Sequence, residues 1–177
     1  SSGITFFNAE NITVTGNSVE KACIKTNGSQ EAISLSAVDG FEISGNRVFN
    51  ITNKVQGGGG EGIDVKNGCS DGQIFGNTVH DVAKIGIYID AYERHEYSIR
   101  VFSNTVYDCD QGITVATENG GLLEDISIFD NNVSNCVWGL AVGGWDVGYT
   151  HEMENITFSN NRVNNSELVS MYLGNND

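Results

Sequence analysis

The sequence predicts an all-β fold, a right-handed single-stranded parallel β-helix of about six to seven coils. Three observations predict it. Asn-x-Val recurs at Asn17, Asn46, Asn77, Asn104, Asn131 and Asn161, at intervals of 29, 31, 27, 27 and 30 residues. Apolar residues stand three and five positions before most of these Asn, as Ile99 and Val101 do before Asn104, which is the two-residue alternation of a strand. A second strand signature precedes each Asn: Ile33-Ser34-Leu35, Ile63-Asp64-Val65, Ile87-Tyr88-Ile89, Ile113-Thr114-Val115, with related triplets from Ile4 to Leu173.

Each part of the repeat has a physical reason. The β-branched triplets form short strands whose first and third residues point into the coil. The Asn suits a corner, because Asn tolerates the left-handed region and its amide can bond to the Asn of the next coil. Five residues after each Asn comes a small or apolar column, Ala22, Ile51, Val82, Cys109, Cys136 and Ser166. Stacked coils about 4.8 Å apart then bury each inward column on its neighbours. A β-propeller blade would need a longer repeat, roughly 40–45 residues. A sandwich would not repeat its columns.

Composition agrees and narrows the function classes. The chain has 177 residues, with 22 Gly, 21 Asn and no Pro, and reads as a single domain over 1–177. Its net charge of −14 argues against nucleic acid and anionic membrane surfaces as partners. No apolar run is long enough to insert in a membrane as a helix. A secreted, cell-surface or periplasmic location is expected. Four Cys are too few for a disulfide scaffold. Cys109 and Cys136 share one column, as a buried thiol stack or as a disulfide. The chain opens Ser1-Ser2-Gly3 and carries no visible capping helix, so it is expected to be part of a longer chain, with neighbouring segments or subunits capping the coil ends.

Spacing between the strand markers locates the loops. Extra residues fall at 91–97, 117–123 and 144–152 on one side, and near 24–30 and 52–60 on the other. Two such walls would frame a groove over the strands that start at residues 33, 63, 87 and 113. Alternation turns Asp64, Lys66, Tyr88 and Asp90 outward onto its floor. Tyr92, Arg94 and His95 follow in one loop, Glu118 in the next, and Trp145 with Asp146 in the one after.

Two chemistries fit these residues, with a lyase slightly favoured over a hydrolase. A polysaccharide lyase needs a cation to neutralise a uronate, a base for the ring proton and an acid for the leaving oxygen. Lys66 is the candidate base, with Arg94 or Tyr88 assisting, although the neighbouring Asp90 would hold Lys66 protonated. A glycoside hydrolase needs two carboxylates, available among Asp64, Asp90, Glu118 and Asp146. Asp64 and Asp90 lie one coil and two positions apart, roughly 7–8 Å at Cβ, within the range of an inverting pair. Tyr92 and Trp145 are candidates for stacking on sugar rings. A glycan-binding module without turnover, such as an adhesin or tail-spike segment, is the alternative.

The repeat from Ile4 to Leu173 resembles the superfamily of pectate lyases and related polysaccharide lyases, hydrolases and epimerases. Locally, Glu61-Gly62-Ile63-Asp64-Val65-Lys66 resembles the Glu-x-x-x-x-Lys stretch of the chondroitinase B and alginate lyase family. That resemblance implies Glu61 as a Ca²⁺ ligand, Lys66 as catalytic base and a polysaccharide substrate. The chain departs from the family pattern where an Arg is expected on the next coil, which reads Ile87-Tyr88-Ile89-Asp90. It departs again at Gly59, where a second acidic ligand would stand.

Overall fold

The computed structural model describes residues 2–23, 30–52, 59–143 and 148–173. Among them every regular element is a strand, and every strand pairing is parallel. The chain winds through three columns of strands. The first runs from Ile4 through Ile33, Ile63, Ile87, Ile113 and Leu140 to Met171, each aligned with the residue of the next coil. The second stacks Ile12, Phe41, Gly72, Ile99 and Ile126. The third stacks Val19, Val48, Val79, Val106, Val133 and Val163. The sequence columns are therefore the coil register.

The coil count is smaller than expected, about five rather than six to seven. The Asn ladder takes five steps, from Asn17 to Asn161. The strand at Met171 opens a coil that the described residues do not complete, and the sequence tally counted it as a whole one.

The core is the sum of the inward columns. Ile33, Ile63, Ile87 and Ile113 are fully buried, as are Leu35, Val65, Ile89 and Val115 two residues on. Burial of this kind contributes on the order of 25 cal/mol per Å² of apolar surface. Gly72 breaks the second column for a steric reason: the Phe41 ring occupies the space its side chain would need, 2.0 Å from an added Cβ. Gly62, Gly86, Gly112 and Gly139 form another column, one residue before the inward Ile or Leu. A Cβ on Gly112 would sit 2.4 Å from the Gly139 carbonyl oxygen, so the backbones there approach too closely for a side chain.

The Asn corner is the most completely bonded part of the coil. The Asn104 Oδ1 accepts from both the backbone N and the Nδ2 of Asn77. Its own Nδ2 donates to the Ile74 carbonyl and to Asn131 Oδ1. Asn46, Asn77 and Asn131 repeat the pattern, each about 1% exposed, so the buried amides satisfy one another. Outside the corner two aromatic stacks follow the same register, Phe75–Phe102–Phe129 and Phe49–His80–Tyr107. Cys109 and Cys136 are free thiols, as are Cys23 and Cys69, all buried; the disulfide alternative is not formed.

Replacing Asn104 by Ala takes the acceptor from the buried Asn77 backbone N–H and breaks the bonds to the Ile74 carbonyl and Asn131, which costs about 3 kcal/mol. Asn17→Ala, at the half-buried first step, costs below about 1 kcal/mol. Urea denaturation of the two variants checks this. Equal losses would refute the buried ladder as the source of stability.

Candidate functional site

The site forms where strands of successive coils present their outer faces side by side. Ser34, Asp64, Tyr88 and Thr114 make one row across the coils, and Ser36, Lys66, Asp90 and Ala116 make the next. Ile63 and Val65 anchor the middle strand, Ile63–Lys66, in the core, so Asp64 and Lys66 must face away from it. Over these rows lies a cavity of about 480 Å³, lined by Glu31, Glu61, Asp64, Lys66, Tyr88, Asp90, Tyr92 and Glu118, with Ser36, Gly59 and Asn67.

Most of the residues expected in the groove are thus brought together: Glu61, Asp64, Lys66, Tyr88, Asp90, Tyr92 and Glu118. Arg94 is not among the lining residues; its stem lies against Gly68, where an added Cβ would be 3.1 Å from the Arg94 Cβ. Trp145 and Asp146 lie outside the described residues, as do most of the loops near 24–30 and 52–60. His95 is a surface residue bonded to Glu124 at 2.8 Å.

The charge pattern differs from the one the register suggests. Lys66 aligns with Asp90, but its ammonium bonds Glu31 Oε1 and Asp64 Oδ2, both at 2.7 Å. Glu31 and Asp64 are nearly inaccessible, so they demand a counter-charge more strongly than a solvated pair would. Glu31 escaped the sequence reading, although its signal was present: it precedes Ile33 by two residues, as Glu61 precedes Ile63, and the coil register stacks the two. Glu61 has Lys84 at 4.0 Å.

The other half of the cavity is acidic and aromatic. Tyr88 donates its hydroxyl to Glu118 Oε1 at 2.7 Å. Asp90 Oδ1 accepts the backbone N–H of Tyr92 at 2.9 Å. Below the floor, Glu96 is fully buried and accepts the backbone N–H groups of Gly68 and Cys69, fixing the turn after Lys66. It too was missed, because nothing in its repeat position distinguishes it from an ordinary strand start.

Burial dominates the titration of these groups. It pushes the Asp90 carboxyl up to about 7, with the Glu118 charge adding to it. It pushes Glu61 up to about 6, against the pull of Lys84. Asp64 is raised by burial against the attraction of Lys66, and Glu96 by burial and the nearby Asp90. For Lys66 burial acts the other way, but Asp64 and Glu31 outweigh it and hold the ammonium above its ordinary value.

The Ca²⁺ implied by the local resemblance meets a mixed environment. Glu31, Glu61 and Asp64 can each offer an oxygen, all within 4.8 Å of one another. Glu61 Oε2 and Asp64 Oδ1 are buried without a hydrogen-bond partner. Yet Lys66 Nζ already stands between Glu31 and Asp64. Ca²⁺ takes 6–8 oxygens at ~2.3–2.6 Å, and it cannot share those carboxylates with an ammonium at hydrogen-bonding distance. The residues as arranged do not fit the ion.

The fold and the repeat define a parallel β-helix, and the comparisons place the chain within a family. It belongs to the family described as "Right handed beta helix region", whose model matches residues 1–177. It is 34% identical over 147 residues to the uncharacterized protein YwoF of Bacillus subtilis (strain 168), an alignment covering 73% of this chain and 30% of that protein. No solved structure matches the chain. The chain thus spans about 30% of the length of this relative.

A raised carboxyl favours the folded state only while it is protonated. Asp90 titrates at about 7 in the folded protein against an ordinary value of 3.8, so stability falls as pH rises between those values. Asp90→Asn is therefore neutral at about pH 4 and stabilising at about pH 8, by up to about 4 kcal/mol. Melting temperatures of both proteins across this range check it. A variant whose advantage does not grow with pH would refute the buried-carboxyl assignment.

Proposed function

We propose that this β-helix cleaves a polysaccharide in the cavity over Asp64 and Asp90, by acid–base hydrolysis. The observation that carries the reading is the buried Asp90 carboxyl, raised to about 7 in a cavity lined by other carboxylates. A general acid works best when its pKa lies near the working pH. A hydrolase pairs such an acid with a second carboxylate that acts on water or on the sugar.

In this reading Asp90 donates its proton to the leaving glycosidic oxygen. Asp64, whose ionised form the Lys66 ammonium favours against its burial, is the base that takes a proton from the attacking water. Adjacent strands lie ~4.8 Å apart and two residues advance ~6.6 Å along a strand, which sets the Asp64 and Asp90 Cβ atoms roughly 8 Å apart. That separation suits inversion of configuration. Tyr92, the more exposed of the two tyrosines, offers its ring to a sugar, beside the buried Tyr88 held by Glu118.

The lyase chemistry is less well served. Its base would be Lys66, whose ammonium is engaged by two carboxylates at 2.7 Å. Its substrate would bring a uronate into a cavity where Glu31, Glu61, Asp64, Asp90 and Glu118 are already acidic. A neutral glycan segment is the better match. A secreted or cell-surface location fits a polysaccharide substrate.

The test is product mass after incubation with neutral and acidic polysaccharides. Fragments that have gained water are expected, with a rate that falls above about pH 7 as Asp90 loses its proton. Asp90→Asn is expected to lower kcat by about 10²–10⁴-fold with little change in KM. Unsaturated fragments would overturn hydrolysis in favour of elimination. Binding of a glycan without turnover would make the protein a recognition module.

A further inference from the structure

The cavity contains a cation-binding arrangement whose cation is part of the chain. Three carboxylates from two adjacent coils, Glu31, Glu61 and Asp64, bring oxygens within 4.8 Å of one another. All three are at least nine-tenths buried, and Glu61 Oε2 and Asp64 Oδ1 have no hydrogen-bond partner. Like charges packed so closely away from water repel strongly unless something positive stands among them. Lys66 Nζ stands there, 2.7 Å from Glu31 and 2.7 Å from Asp64.

We propose that Lys66 is the resident cation of this cluster, and that removing its charge converts Glu31, Glu61 and Asp64 into a site for a divalent or trivalent oxygen-seeking ion. The ligand type follows from the donors: carboxylate oxygens without nitrogen or sulfur select hard ions of the Ca²⁺ kind. The ammonium excludes such an ion in two ways. It occupies oxygens that the ion would need, and its charge repels the ion across a few ångströms. Lys84 is a different case, because it stands farther off, 4.0 Å from Glu61, with a quarter-exposed side chain.

A tethered ammonium has a functional consequence that does not rest on the carbohydrate reading. The positive charge at Asp64 is permanent, so the site works without ion supply and resists chelators. It also ties successive coils together at the floor of the cavity, since Glu31 belongs to the coil before Asp64 and Lys66.

The experiment uses terbium luminescence and calcium calorimetry on the whole chain. Wild type is expected to bind neither ion more tightly than about 1 mM at this site, and its melting temperature should be indifferent to EDTA. Lys66→Met keeps the stem and removes the charge. It is expected to bind both ions at least about tenfold more tightly, given the size of a unit-charge interaction at this range, and to gain several degrees of melting temperature on calcium addition. Adding Glu61→Gln to Lys66→Met should abolish the gain, and Lys66→Arg should show none. Micromolar calcium binding by the wild type, lost in Glu61→Gln, would overturn the proposal whatever the variants do. So would a folded Lys66→Met with no gain; if that variant does not fold, Lys66→Gln takes its place.

Discussion

The side-chain amide of Asn104, bonded at once to the coil before and the coil after, is the interaction on which the rest of this molecule depends. A parallel coil has no hairpin turn to fix its register. Each coil must find its neighbour through contacts far apart in sequence, and a slip by one residue would turn every inward side chain outward. The buried Asn column prevents the slip, because an offset would strand amide donors and carbonyls in the core. Once the corner is set, the Ile, Val and Gly columns fall into line. The outward rows of Asp64 beside Tyr88 and Lys66 beside Asp90 then follow without separate instruction.

That dependence explains how much could be read without coordinates. Register was legible because the same residue types recur where the same environment recurs. Asp64, Tyr88 and Asp90 were placed on one floor by counting alone. What counting could not supply was the direction of long side chains. Lys66 lies beside Asp90 in the ladder, but its four-carbon stem carries the ammonium back to Glu31, where desolvation makes a counter-charge worth most. Arg94 follows the same lesson in reverse: close in sequence to the site, it spends its stem covering Gly68. The coil number was overcounted because a strand signature does not reveal whether the coil it opens is completed.

The cavity illustrates how a rigid scaffold shifts proton affinities. A carboxyl on a mobile loop would relax toward water, whereas one on a strand between two bonded neighbours must stay where it is. Asp90 and Glu61 hold their protons toward neutral pH because the coil keeps them buried and beside another carboxylate, Glu118 for Asp90 and Glu31 for Glu61. Glu96, deeper still, is raised by burial and by the charges of Asp90 and Asp64, against the pull of the backbone N–H groups of the turn that it holds. The cost of burying these groups is distributed over backbone N–H donors, one ammonium and the tyrosine hydroxyl.

The cavity also draws its wall from successive coils, Glu31 from one, Asp64 and Lys66 from the next, Asp90 from a third, and Glu118 from the loop of a fourth. A solenoid can gain or lose a whole repeat and keep its architecture, because each coil contacts only its neighbours. In this chain such an event outside residues 31–118 would leave the floor intact. Within that span it would preserve the architecture while separating Lys66 from its acids or Tyr88 from Glu118. A change in coil number is thus compatible with this cavity at either flank and not in the middle.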